Sequence, residues 1–154
     1  MKKDWFCHWF NSPYYPVLYK ERNDAEADHF TDRLIRFLNP AKEALMLDMA
    51  CGRGRYTRSF HKLGYRIHGI DSSPSSIRSC QESGTGKMSF ALHDMRIPFN
   101  KNTYDFVFSF FTSFGYYHKD EDNLKILRSV CENLKQDGIF VLEFPSEIAP
   151  GYAC

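Results

Sequence analysis

Leu45-Met-Leu-Asp-Met-Ala-Cys-Gly-Arg-Gly-Arg55 is an apolar run that ends in an acidic residue, bends through Gly52 and Gly54, and opens into a helical pattern. A second apolar run closes on another acid, Asp71. Strand, Gly-x-Gly turn, helix, strand and carboxylate, in that order, are what a doubly wound sheet uses to hold an adenosine ribose. Glycines at the turn admit positive backbone angles and close approach of a ligand to the main chain. The stretch points to a nucleoside cofactor.

Ahead of it, Asn23-Asp24 caps a helix in which Ala27, Phe30, Leu34, Phe37 and Leu38 repeat at helical spacing, and Asn39-Pro40 stops it. Strand one, Ala44 to Met49, leads into a helix from about Arg53 to Leu63 with Tyr56, Phe60 and Leu63 on one face and Gly64 as its stop. Strand two is Arg66 to Ile70. The next helix starts at Ser73-Pro74, a capping residue before a proline at the first helical position, and ends near Gly84 and Gly86. Strand three is Met88 to Leu92. Strand four, Tyr104 to Phe111, is almost wholly apolar, as expected mid-sheet where both faces are covered. A last helix, capped at Asp120, places Leu124, Leu127, Val130, Cys131 and Leu134 on one side, and Asp137-Gly138 turns the chain into strand five, Ile139 to Phe144.

This alternation predicts an α/β fold: a doubly wound, mostly parallel, Rossmann-like sheet of five strands, helices on both faces, and a ligand at the carboxyl ends of the strands. Asp48, Gly52, Asp71, Asp94 and Phe111 all fall at such ends. Two segments are expected, an aromatic lid with its helix over 1–40 and a cofactor domain over 41–154. The lead carries Tyr14, Tyr15 and Tyr19 around Pro13 and Pro16. These rings either fold over the cofactor mouth as a lid or substrate wall, or pack against the first helix.

A net charge of +1 gives no broad pull on nucleic acid, and Arg53, Arg55, Arg58, Lys62 and Arg66 read as a solvated helix face. Five scattered cysteines without a C-x-x-C pair argue against a disulfide framework or zinc, and the six histidines show no ligand spacing, so no metal is expected. No apolar run has signal-peptide or membrane-spanning length. A soluble, cytoplasmic protein is the expectation.

Asp48-Met-Ala-Cys-Gly-Arg-Gly-Arg55, Gly69-Ile-Asp-Ser-Ser73, His93-Asp-Met-Arg96 and Phe110-Phe-Thr-Ser-Phe-Gly-Tyr-Tyr117 resemble the class I, Rossmann-like, S-adenosylmethionine-dependent methyltransferases. The opening Asp4-Trp-Phe-x-x-Trp-Phe-Asn-Ser-Pro-Tyr-Tyr15 further resembles a small bacterial branch of that family. The resemblance implies S-adenosylmethionine as cofactor. It implies that Asp48 supports the turn and the amino end of the methionine moiety, with Ala50, Cys51, Gly52, Gly54 and Arg55 lining the loop. Asp71, with Ser72, would take the ribose hydroxyls, Asp94 and Met95 the adenine, and Phe111 the sulfonium side. Ala50 departs from the commoner glycine of the loop. Methyl transfer needs orientation more than acid or base, so the catalytic residue is unknown; His118 and Tyr117 are the candidates if a base is used.

The leading expectation is a methyltransferase acting on a small molecule. A nicotinamide-dependent oxidoreductase is disfavoured because Thr57 stands where a third glycine would be needed. A non-catalytic cofactor-binding or interaction fragment is the other alternative. Pro145 to Cys154 holds no pattern for the family's last two strands, so a chain truncated after strand five is expected, with strand five as an exposed apolar edge open to self-association.

Overall fold

The computed structural model describes residues 8–9, 12–18, 23–81, 83–111 and 113–143. Tyr19, Thr112, residues 144–154 and the side chain of Tyr15 lie outside them. In chain order the elements are α1 (Tyr15–Leu18), α2 (Asp24–Leu38), β1 (Leu45–Met49), α3 (Arg55–Lys62), β2 (Arg66–Asp71), α4 (Pro74–Gln81), β3 (Met88–Leu92), β4 (Tyr104–Ser109), α5 (Asp120–Asn133) and β5 (Leu134–Leu142). The strands form one sheet in the order β3-β2-β1-β4-β5, every pairing parallel. The chain steps outward from β1 to β3, then crosses back to lay β4 on the other side of β1. That reversal makes the carboxyl ends of β1 and β4 the switch point at which doubly wound sheets bind ligands.

Alternate side chains of the central strands feed two cores. Met46 of β1 and Phe106 and Phe108 of β4, with Phe110 just beyond it, pack with Ala27 of α2 and Tyr56 and Phe60 of α3. The Phe60 ring stacks on Phe108 at 4.6 Å. On the other face Leu47, Met49, Ile70 and Val107 meet Ile126 and Val130 of α5. The buried run of β4 follows from its place between β1 and β5.

Asn23 caps α2 through its Oδ1, which accepts from the Glu26 N–H at 3.0 Å. Asn39 ends the helix in the left-handed region at φ 44. The helix docks on α3 through the buried Thr31–Ser59 hydroxyl pair, and at the surface through Arg55–Glu26 at 2.6 Å and Lys62–Asp28 at 2.8 Å. Part of the basic face expected to be solvated is thus the seat of α2.

The structure corrects several expectations. Phe37, expected on the apolar face of α2, is 85% exposed, while Ala27 and Thr31 are buried. On α3, Leu63 lies past the last turn and is exposed. On α5 the buried positions are Ile126, Ser129, Val130 and Asn133. Leu124, Leu127 and Cys131 face outward. Asp120 is the first helical residue rather than the cap, which is Lys119. With Glu121 and Asp122 it puts acid in the first turn, where the helix dipole favours it. Leu134 leaves the helix and pairs with Tyr104, so β5 starts before Asp137-Gly138. That dipeptide is an irregularity inside the strand, with Asp137 at φ 63. β4 ends at Ser109, two residues before Phe111.

Replacing Phe60 by Ala should cost about 3–5 kcal/mol in urea denaturation, because it empties the ring stack at the centre of the core. Phe37→Ser should change stability by less than about 0.5 kcal/mol, although the sequence pattern treats both positions as core.

Candidate functional site

The turn between β1 and α3 alternates left-handed residues: Ala50 at φ 60, Gly52 at φ 55 and Gly54 at φ 73. A Cβ at Gly54 would fall 2.5 Å from the Phe90 ring, whereas one at Gly52 would meet nothing within 4 Å. Gly54 thus serves packing, and Gly52 leaves open space beside the turn where a side chain would stand. Ala50 tolerates a conformation that costs an L-residue of this kind on the order of 1–3 kcal/mol, held by the strand on one side and the turn on the other.

The end of β2 stitches the turn down. Cys51 donates its N–H to the Ile70 carbonyl at 2.9 Å. The Gly52 N–H donates to Asp71 Oδ2 at 2.9 Å, and the Ser73 N–H to Asp71 Oδ1 at 2.7 Å. Ser73 Oγ in turn caps α4 by accepting from the Ser76 N–H. Asp71 therefore shapes both the turn and the helix start. Each of its oxygens keeps a second lone pair for an incoming hydroxyl. Ser72 beside it is exposed.

Asp48 sits beneath this turn, 2% exposed, its Oδ2 accepting the Thr57 hydroxyl at 2.6 Å. Burial raises its carboxyl to about 7; the Thr57 hydroxyl opposes the rise and the neighbouring Asp71 adds to it. Burial also raises Asp71, against the N–H groups of Ser73 and Gly52. Neither acid forms an ion pair among the described residues. Arg55 is turned to Glu26 and to the Asn23 carbonyl, and Arg58 donates to the Arg53 carbonyl at 2.6 Å. The Cys51 thiol donates to the Gly52 carbonyl and the Cys80 thiol to the Ser76 carbonyl at 3.1 Å, and burial lifts both above their usual range, so they are poor nucleophiles.

Beyond β3, burial works to raise the Asp94 carboxyl, but a forked pairing with Arg96 at 2.6 to 3.1 Å outweighs it and holds the group below its usual value. Arg96 also lies over the Tyr117 ring at 4.6 Å and 3.6 Å from Asp122. It joins the loop after β3 to the loop after β4 and to the start of α5. Met95 is buried against Leu47, Met49 and Ile70. Phe111 has φ 63 and donates its N–H to Glu143 Oε2 at 2.8 Å. His118 is exposed.

The structure thus gathers Asp48, Cys51, Gly52, Gly54 and Asp71 at one end of the sheet, with Ala50 in the turn and Phe111 on the neighbouring strand end. Arg55 instead braces α2. Residues 46–138 match the methyltransferase domain family. The chain belongs to that family. At 29% identity over 141 residues it is similar to the mitochondrial arginine-hydroxylase NDUFAF5 of Danio rerio, covering 91% of this chain and 41% of that protein. Among solved structures it resembles the amino pentose methyltransferase CalS10 of Micromonospora echinaspora, at 23% identity and a TM-score of 0.69 over 92% of this chain and 61% of that one. It also resembles the sugar N-methyltransferase KedS8 of Streptoalloteichus sp. ATCC 53650, at 21% identity and 0.68 over 83% and 52%. The chain spans less than two thirds of the length of each. No helix among the described residues is long and apolar enough to cross a membrane.

Sequence reasoning missed Thr57, Arg96 and Glu143. Thr57 was visible only as a departure from a dinucleotide fingerprint, whereas its hydroxyl is the partner of Asp48. Glu143 repeats the motif of Asp48, an acid closing an apolar strand. Arg96 carries no such signal.

Because Asp48 has a carboxyl near 3.8 when unfolded and about 7 when folded, the fold holds a proton that the unfolded chain has released. Its contribution to stability is greatest below the unfolded value and is lost as pH rises to the folded one. In thermal melts, the advantage of Asp48→Asn over wild type should grow from about pH 4 to about pH 7 and then level off.

Proposed function

We propose that this domain binds S-adenosylmethionine across the carboxyl ends of β1, β2 and β3 and transfers its methyl group to a small-molecule acceptor. The observation that carries the reading is the pair of acids, buried Asp48 and partly buried Asp71, at the glycine turn, with no cation among the described residues to balance them. Burying negative charge without a partner is costly, and a ligand that brings positive charge relieves the cost. S-adenosylmethionine carries an ammonium and a sulfonium. A pyrophosphate would add like charge to the same place, and Thr57 fills the position where a dinucleotide loop needs glycine.

In this reading Asp71 accepts from the ribose hydroxyls, Asp48 supports the amino end of the methionine moiety from beneath the turn, and Ala50, Cys51, Gly52 and Gly54 shape the loop around it, with Ser72 at the ribose edge. Asp94, held in place by Arg96, and Met95 border the adenine. Phe111 lies on the sulfonium side, where an aromatic face favours positive charge. Bound there, the cofactor supplies an electrophilic methyl group. What the chain adds is orientation and exclusion of water, which an in-line displacement needs more than a general base. Tyr117 and His118 stand on the acceptor side after β4; Tyr117 is the better fixed, through Arg96 and through its carbonyl, which accepts from Asn123 at 3.1 Å.

Residues 1–40 form the lid segment and its helix in this proposal, and 41–154 the cofactor domain. Support comes from Arg55, which ties Asn23 and Glu26, at the start of α2, to the start of α3 next to the glycine turn. The small-molecule acceptor is supported by the weak net charge and by the sugar-directed methyltransferases among the structural neighbours.

Isothermal titration with S-adenosylhomocysteine should show binding, and absence of heat from folded protein removes the proposal. Asp71→Asn should weaken it by roughly one to two decades for each charge-assisted bond lost, with little change in fold by circular dichroism. Affinity should also rise with pH through about 7, since the ligand's ammonium favours the ionised Asp48. Turnover with amino-sugar acceptors, measured as homocysteine-nucleoside release, separates a methyltransferase from a binding module.

A further inference from the structure

The end of β4 is held in a conformation its sequence resists. Phe111 lies at φ 63, a region that bulky side chains enter only where their surroundings impose it. Those surroundings come from the end of β5. The Phe111 N–H donates to Glu143 Oε2 at 2.8 Å, and the Glu143 N–H donates to the Ser109 carbonyl at 3.0 Å. One residue therefore grips the strand end on both sides of Phe110. The Ser113 hydroxyl closes the turn by donating to the Phe110 carbonyl at 3.0 Å. Because Phe108 pairs in register with Asp48, this turn rises beside the glycine loop on the side away from β2.

We propose that Glu143 is a positioning residue for methyl transfer, fixing Phe111 in the left-handed turn that walls the sulfonium side of the site. The proposal rests on the S-adenosylmethionine reading above. What matters is reach, since the side chain must span from just past β5 to the backbone N–H of Phe111, two residues beyond β4. A glutamine keeps both the length and an accepting oxygen; an aspartate keeps the charge and is one methylene too short. A sulfonium responds to displacement of the ring and carbonyls around it more than the neutral thioether does.

Wild type, Glu143→Gln and Glu143→Asp would be titrated calorimetrically with S-adenosylmethionine and S-adenosylhomocysteine, and amide exchange at Phe111 followed in each. Glu143→Gln should stay within about threefold of wild type for both ligands. Glu143→Asp should bind S-adenosylmethionine about tenfold more weakly, lose less for S-adenosylhomocysteine, and expose the Phe111 amide to faster exchange. Unchanged S-adenosylmethionine affinity in Glu143→Asp overturns the proposal, as does a Glu143→Gln variant that binds as poorly as Glu143→Asp, which would assign the effect to charge. If wild type binds neither ligand, the cofactor reading fails and takes the proposal with it; where wild type binds both, the two variants alone decide the role of Glu143.

Discussion

A carboxylate with no cation beside it among the described residues, sealed under a glycine turn, is the constraint around which the binding end of this molecule is arranged. Asp48 can occupy its position only because Thr57 gives it a hydroxyl and because burial keeps it close to neutral. Burial raises Asp71 as well, and its two oxygens are spread over the N–H groups of Gly52 and Ser73, which oppose the rise. The acids therefore do two things at once. They fix the turn through hydrogen bonds, and they leave the site short of positive charge. A site in this condition is less stable empty than filled, the usual trade between stability and function at a binding centre.

Most of the fold could be read from the chain because strand and helix periods alternate cleanly, and β-branched or aromatic runs bounded by glycine, proline and asparagine leave little choice of boundary. Strand three is found at the expected residues, and the caps at Asn23, Asn39 and Ser73 act as their chemistry suggests. What escaped was rotational phase and tertiary detail. Phe37, Leu124 and Leu127 carry apolar side chains at helical spacing but face outward, because periodicity alone does not say which of two overlapping stripes meets the sheet. β5 begins early because Leu134 pairs with Tyr104, a long-range contact that a local Asp-Gly turn signal hides.

The grouping of residues at the candidate site was legible where a residue closes a strand or bends the turn after it, as Asp48, Gly52 and Asp71 do. It was not legible where a residue acts through another. Arg96 matters by holding Asp94 and lying on Tyr117, and Arg55, whose position suggested the cofactor loop, is spent on α2. Such partnerships depend on which distant elements become neighbours. Family membership narrows the chemistry without naming an acceptor, since one scaffold of this kind carries many reactions.

The strand order has a consequence for how the chain is made. β1 finds β2 within some twenty residues of sequence, but its other edge waits for β4, whose partners Phe106 to Phe108 lie about sixty residues further on. During synthesis the glycine turn is therefore assembled on a half-built sheet, with one flank of Leu47 and Asp48 unzipped until the ribosome has delivered that distant segment.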